Sequence, residues 1–126
     1  MRKILAIACV LAGASAAASA QPSLTGDWAR GDGKARVRIE PCGGAYCAIN
    51  SWIRPGTDAE KVGDRLVMRL KPDGKASFRG EAWDPQRNAT YAIRVDVGDK
   101  TMTTRGCLLA GLLCRNVGWT RLDGAR

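Results

Sequence analysis

In Tyr91-Ala92-Ile93-Arg94-Val95-Asp96-Val97 the large apolar side chains fall on every second position, with Ala92, Arg94 and Asp96 between them. A period of two turns one face of a strand to a core and the other to water. The pattern recurs outward in both directions. Ala35, Val37 and Ile39 alternate with Arg36, Arg38 and Glu40. Leu66, Met68 and Leu70 share one face, Arg69 and Lys71 the other, and Phe78 opposes Arg79. No window carries a helical stripe of useful length; only Asp58 to Asp64 has room for a short turn of helix.

Between these runs lie turn signals at near-regular spacing. They are Gly31-Asp32-Gly33, Gly43-Gly44, Pro55-Gly56, Pro72-Asp73-Gly74, Asp84-Pro85 through Asn88, Gly98-Asp99 and the softer Ala110-Gly111. Seven turns separate eight strand-like segments. Short antiparallel strands joined by tight turns make an up-and-down barrel or a β-sandwich. The eight-stranded, lipocalin-like barrel is preferred, because closure removes the sheet edges that invite aggregation. In a closed barrel the first and last strands are neighbours. Trp28, in Gly26-Asp27-Trp28, then packs under Arg121, in Trp119-Thr120-Arg121, as a cation–π contact that seals one end.

The N-terminus bears on location. Arg2 and Lys3 precede the apolar run Ile4 to Ala12, and Ala18-Ser19-Ala20 forms an A-x-A cleavage signal. That order predicts a cleavable signal peptide over 1–20 and a single barrel domain over 21–126, exported to the periplasm. The apolar run is too short to span a bilayer, and the mature chain carries no transmembrane segment. Cys9 leaves with the signal, so Cys42, Cys47, Cys107 and Cys114 remain. An even set in an exported chain reads as two disulfides. Two local bridges, Cys42 with Cys47 and Cys107 with Cys114, are the first choice, while sequence leaves crossed pairings open. The spacings are not those of a metal site, and no cofactor is expected.

Without Arg2 and Lys3, eighteen cations face twelve carboxylates, a net +6. Alternation sends Arg36, Arg38, Arg69, Lys71, Arg79 and Arg94 outward as a basic wall, either a solvated face or, as the alternative function, an envelope-interaction surface for phosphate-bearing lipids, glycans or a protein partner. The cations form no run of the kind that marks nucleic-acid binding, so no nucleic-acid partner is expected. The chain has no histidine. Ser-His-Asp and Cys-His catalysis are thereby excluded, and the usual general base near neutral pH is missing. Glu81 and Asp84 are close in sequence, but Asp84-Pro85 reads as a turn start rather than half of an acid–base pair. No catalytic residue is assigned and the chain is not expected to be an enzyme. The leucines of Leu108-Leu109-Ala110-Gly111-Leu112-Leu113 either tuck into the core, cover the barrel mouth or mark a partner surface.

Several stretches together carry a family resemblance: Gly26-Asp27-Trp28, Val37-Arg38-Ile39, Pro41-Cys42-Gly43, Tyr46-Cys47-Ala48-Ile49, Gly80-Glu81-Ala82-Trp83-Asp84-Pro85, Tyr91, Arg105-Gly106-Cys107 and Trp119-Thr120-Arg121. In this order they resemble the bacterial family catalogued as domain of unknown function 2147, over nearly all of the mature chain. Many relatives have glycine-arginine where this chain has Ala48-Ile49. The resemblance implies an exported, lipocalin-like barrel and no established reaction.

An eight-stranded barrel is just wide enough to fill with side chains or to hold one small molecule. The leading expectation is a small apolar or amphipathic ligand. Its lining would be Ile39, Ile49, Met68, Phe78, Tyr91 and Ile93, with Val95 and Met102 beside them and Trp83 and Arg105 at the mouth. The same set would also make a solid core.

Overall fold

The computed structural model describes residues 22–122, together with Lys3 and Ala6. The expected signal peptide lies otherwise outside the described residues. The strands are β1 (Gly26–Arg30), β2 (Ala35–Cys42), β3 (Ala45–Ile53), β4 (Arg65–Pro72), β5 (Ser77–Asp84), β6 (Ala89–Val97), β7 (Thr101–Leu108) and β8 (Leu113–Arg121). Each pairs antiparallel with its chain neighbours, and β1 pairs with β8, so the sheet closes into an eight-stranded barrel. All seven anticipated turns fall between strands. Asp58 to Asp64 is not helical. Its backbone is drawn back to β3, Gly63 N donating to Asn50 O and Asn50 N to Asp64 O, both at 2.8 Å. Gly63, at φ 89°, also lies outside helical space. Among the described residues no helix is long and apolar enough to cross a membrane.

The two ends of the barrel differ. At one end Trp28 is fully buried, and its Nε1 donates to Leu24 O at 3.0 Å, fixing Leu24 as a stopper. The Arg121 guanidinium lies 4.2 Å over the Trp28 ring. Arg121 also donates to the carbonyls of Ser23 (2.6 Å), Asp99 (2.9 Å) and Thr25 (3.2 Å). One side chain thus ties the N-terminal segment and the β6–β7 turn to β8. The β2–β3 turn at this end is bridged by Cys42–Cys47. Val95, Val97 and Phe78 fill the lower interior, with Phe78 edge-on to Tyr46 at 6.4 Å.

The opposite end gathers the β1–β2, β3–β4, β5–β6 and β7–β8 connections. The longest of these, residues 54–64, joins β3 to β4. The β7–β8 hairpin is clamped by Cys107–Cys114, whose residues sit directly opposite in register.

Candidate functional site

Toward the open end the interior is not filled. A cavity of about 200 Å³ is walled by Val37, Ile39, Ala48, Leu66, Met68, Ile93, Met102 and Trp119. The Trp119 indole stays in the wall by donating to Thr104 Oγ1 at 3.0 Å. Above it lies a wider vestibule of about 780 Å³, lined among others by Lys34, Tyr91, Arg115 and Asn116. The two spaces share Arg30, Glu60, Asp84 and Arg87, which form a charged ring at the mouth.

Strand parity puts those charges there. Arg30 is two residues beyond Trp28 on β1, and Asp84 two beyond Ala82 on β5, so both share the face of a buried residue. Being the last residue of its strand, each meets the mouth rather than the core. Arg30 forks onto Glu60, Nη1 to Oε1 at 2.6 Å and Nη2 to Oε2 at 2.8 Å, while its Nε donates to Asp32 at 3.0 Å. Asp84, only 7% exposed, accepts from Gln86 Nε2 and Arg87 Nη1, both at 2.8 Å, and from the backbone N–H groups of Gln86 and Arg87. This is the turn-capping role expected of Asp84, with a guanidinium added. Arg87 also donates to Ala59 O, and Asn50 Nδ2 to Lys61 O at 3.1 Å. With Arg30–Glu60, these make three side-chain ties that hold the 54–64 loop across the mouth, beside its backbone bonds to Asn50.

The electrostatics follow from the contacts. The hydrogen bond from Arg30 outweighs burial and holds the Glu60 carboxyl below its ordinary range, and Asp32 is lowered by the same side chain. Glu60 in turn holds the Arg30 guanidinium more firmly protonated. Burial pushes Asp84 up, but the bonds from Arg87 and Gln86 together pull it further down. Both mouth carboxyls are therefore ionised acceptors at neutral pH, the opposite of a general acid with a raised pKa.

The expected lining residues separate by parity. Ile39, Met68 and Ile93 line the cavity, and Met102 joins them. Tyr91 lines the vestibule. Phe78 is interior but belongs to the filled end. Ile49, Trp83 and Arg105 are corrected to the outer face. Ile49 stands between Ala48 and Asn50, which line the cavity, and lies opposite Arg38 and Arg65. Trp83 is one position from the inward Asp84 and 43% exposed. Arg105 is one position from Thr104, which lines the cavity, and so shares the other face with Arg94 opposite it, its Nη1 donating to Asn116 Oδ1 at 3.2 Å. Glu81 and Asp84, three apart, face opposite ways and cannot act as a pair. Arg30 and Arg87 were not anticipated, although parity counted from Trp28 would have found Arg30. Glu60 had no such signal, because only the fold brings its loop over the mouth.

The fold and its interior define a small, closed antiparallel β-barrel, plugged at one end and open to an apolar cavity at the other. The chain belongs to the family described as "uncharacterized protein conserved in bacteria (DUF2147)", whose model matches residues 26–121. Among solved structures, a redesigned β-barrel is similar at 12% identity and a TM-score of 0.49, over 79% of this chain and 91% of that one. No curated protein matches the chain.

Proposed function

We propose that the barrel binds one small amphipathic molecule, its apolar part in the cavity and its polar end at the Arg30–Glu60–Asp84–Arg87 ring. The observation that carries this reading is the unfilled apolar space directly beneath inward-facing charges at the one unplugged end. The size is adequate: an apolar cavity of about 150 Å³ holds benzene, so about 200 Å³ takes a ring or a short alkyl chain. Arg30 and Arg87 keep Nη hydrogens beyond those given to Glu60, Asp84 and Ala59 O, and with Lys34 and Arg115 of the vestibule, which make no ion pair with a described residue, they supply donors for a carboxylate or phosphate head. Two local disulfides and a signal-like N-terminus support export to the bacterial periplasm.

The test is thermal stabilisation by saturated carboxylic acids from butyrate to dodecanoate. Stabilisation is expected to peak at hexanoate or octanoate and to vanish in Ala48→Phe, which fills the cavity. A flat response across the series, or an Ala48→Phe response equal to wild type, contradicts the reading.

One observation favours a second reading, an anionic envelope component held at the outer wall. Lys71, Arg79, Arg94 and Arg105 stand opposite one another in register across β4 to β7. Like charges so placed are unfavourable in a sheet. Asp73 bridges Arg79 and Arg94, and Asp96 adds a second contact to Arg94, which leaves this row partly neutralised. The cavity reading is therefore preferred.

A further inference from the structure

Six large apolar side chains are exposed among the described residues: Leu112 (83%), Val62 (64%), Leu113 (58%), Trp83 (43%), Trp52 (37%) and Leu108 (36%). All six belong to the open end. Trp52 and Trp83 are the next-to-last residues of β3 and β5, Val62 is in the 54–64 loop, and the leucines form the β7–β8 hairpin. None lies at the plugged end. The Cys107–Cys114 bridge closes the hairpin just behind its leucines, so Leu112 and Leu113 are held out on a clamped tip.

Cations accompany this apolar rim. Lys34, Arg36, Arg54, Lys61, Arg65 and Arg115 are exposed at the same end and make no ion pair with a described residue. Arg36 lies 5.2 Å over the Trp52 ring. Of the carboxylates at this end, Asp32, Glu60 and Asp84 are already paired with Arg30 or Arg87, and Asp58 and Asp64 of the 54–64 loop leave the six cations in excess.

We propose that the open rim docks onto an anionic lipid bilayer, with the leucine tip entering the acyl region and Trp52, Trp83 and the free cations at headgroup level. Leucines in the apolar layer, tryptophans at its boundary and cations facing anionic headgroups make up the chemistry of an interfacial surface. Charge decides against a second copy as the occupant, since rim against rim would oppose cation to cation. The apolar side chains are also spread over four elements around the mouth rather than gathered on one flat patch. Docking stands whether or not the cavity is occupied. If it is, a docked barrel receives its amphipathic ligand without passage through bulk water.

The test is sedimentation of the protein with vesicles of phosphatidylcholine plus phosphatidylglycerol, and with phosphatidylcholine alone. Tryptophan quenching by brominated lipid reads out the rim, because Trp28 is buried and Trp119 lies in the cavity wall. Binding is expected to need the anionic lipid and to weaken as salt shortens the screening length from about 10 Å to about 3 Å. It is expected to fall on the order of tenfold in Leu112→Ser and further in Leu112→Ser/Leu113→Ser. Both positions are exposed, so thermal stability should be unchanged, and matching melting curves confirm the fold. Absence of binding to anionic vesicles overturns the proposal, as does full binding by the double serine variant. Loss of binding in Arg79→Glu/Arg94→Glu but not in the serine variants moves the lipid surface to the outer wall. A leucine-dependent dimer without lipid binding assigns the rim to a second copy instead.

Discussion

At the residue scale, a few side chains do work that no single strand can. Trp28 and Arg121 replace the missing floor of the barrel: an aromatic ring fills the end, and a guanidinium both stacks on it and satisfies three carbonyls. Trp28→Ala removes the largest fully buried side chain and should cost about 3–5 kcal/mol in denaturant unfolding. Arg121→Met keeps much of the packing but orphans the carbonyls, for a loss of about 1–3 kcal/mol. At the mouth, the Arg30–Glu60 side chains are 16% and 25% exposed. Glu60→Gln should therefore cost between the ~0.2–1 kcal/mol of an exposed pair and the ~3–5 kcal/mol of a buried one. The carboxyls of Glu60, Asp32 and Asp84 are lowered in the folded state, so the stability they contribute is present above the ordinary carboxylate range and lost as pH falls through their folded values. With no histidine to titrate, melting temperature should be flat from about pH 5.5 to 8 and decline below about pH 4. A transition near pH 6.5 would contradict this assignment.

At the element scale, the register depends on close approach. A Cβ built at Gly80 would lie 1.8 Å from Arg69 O on the neighbouring strand, so β4 and β5 pair at this distance only around glycine. Gly80→Ala should prevent folding or shift the β4–β5 pairing, visible as lost dispersion in amide NMR spectra. Gly106, with open space around its Cβ, is the control that should tolerate alanine. Selective loss of the Cys107–Cys114 bridge should cost about 2 kcal/mol by loop entropy and loosen the leucine hairpin first in hydrogen exchange. The elements themselves were legible in the sequence, because period-two alternation and glycine turns are local signals. Which face turned inward was legible only where a strand carried a clear apolar side. Ile49 and Trp83 are as apolar as their inward neighbours, and the register shift between Arg36 and Val37 disturbs simple counting across β2 and β3. The mouth was the least legible part. Arg30 and Glu60 are thirty residues apart, and nothing local to either announces the fork that joins them.

On the scale of the whole molecule, polarity from end to end organises the barrel. One end is sealed by Leu24, Trp28 and Arg121; the other carries the cavity, the charged ring and every exposed large apolar side chain among the described residues. A solid barrel needs no such asymmetry, whereas a container with one entrance does. Cutting the Asn50 and Glu60 side-chain ties of the 54–64 loop with Asn50→Ala and Glu60→Ala, and keeping Arg87 for the polar head, should raise ligand on- and off-rates together. The central claim is tested most directly by comparing native and denatured masses of the protein recovered from a bacterial periplasm. A native mass larger by one small-molecule increment, absent in Ala48→Phe, is the predicted result. Equal masses, with no increment restored by the carboxylic acid series, would contradict it.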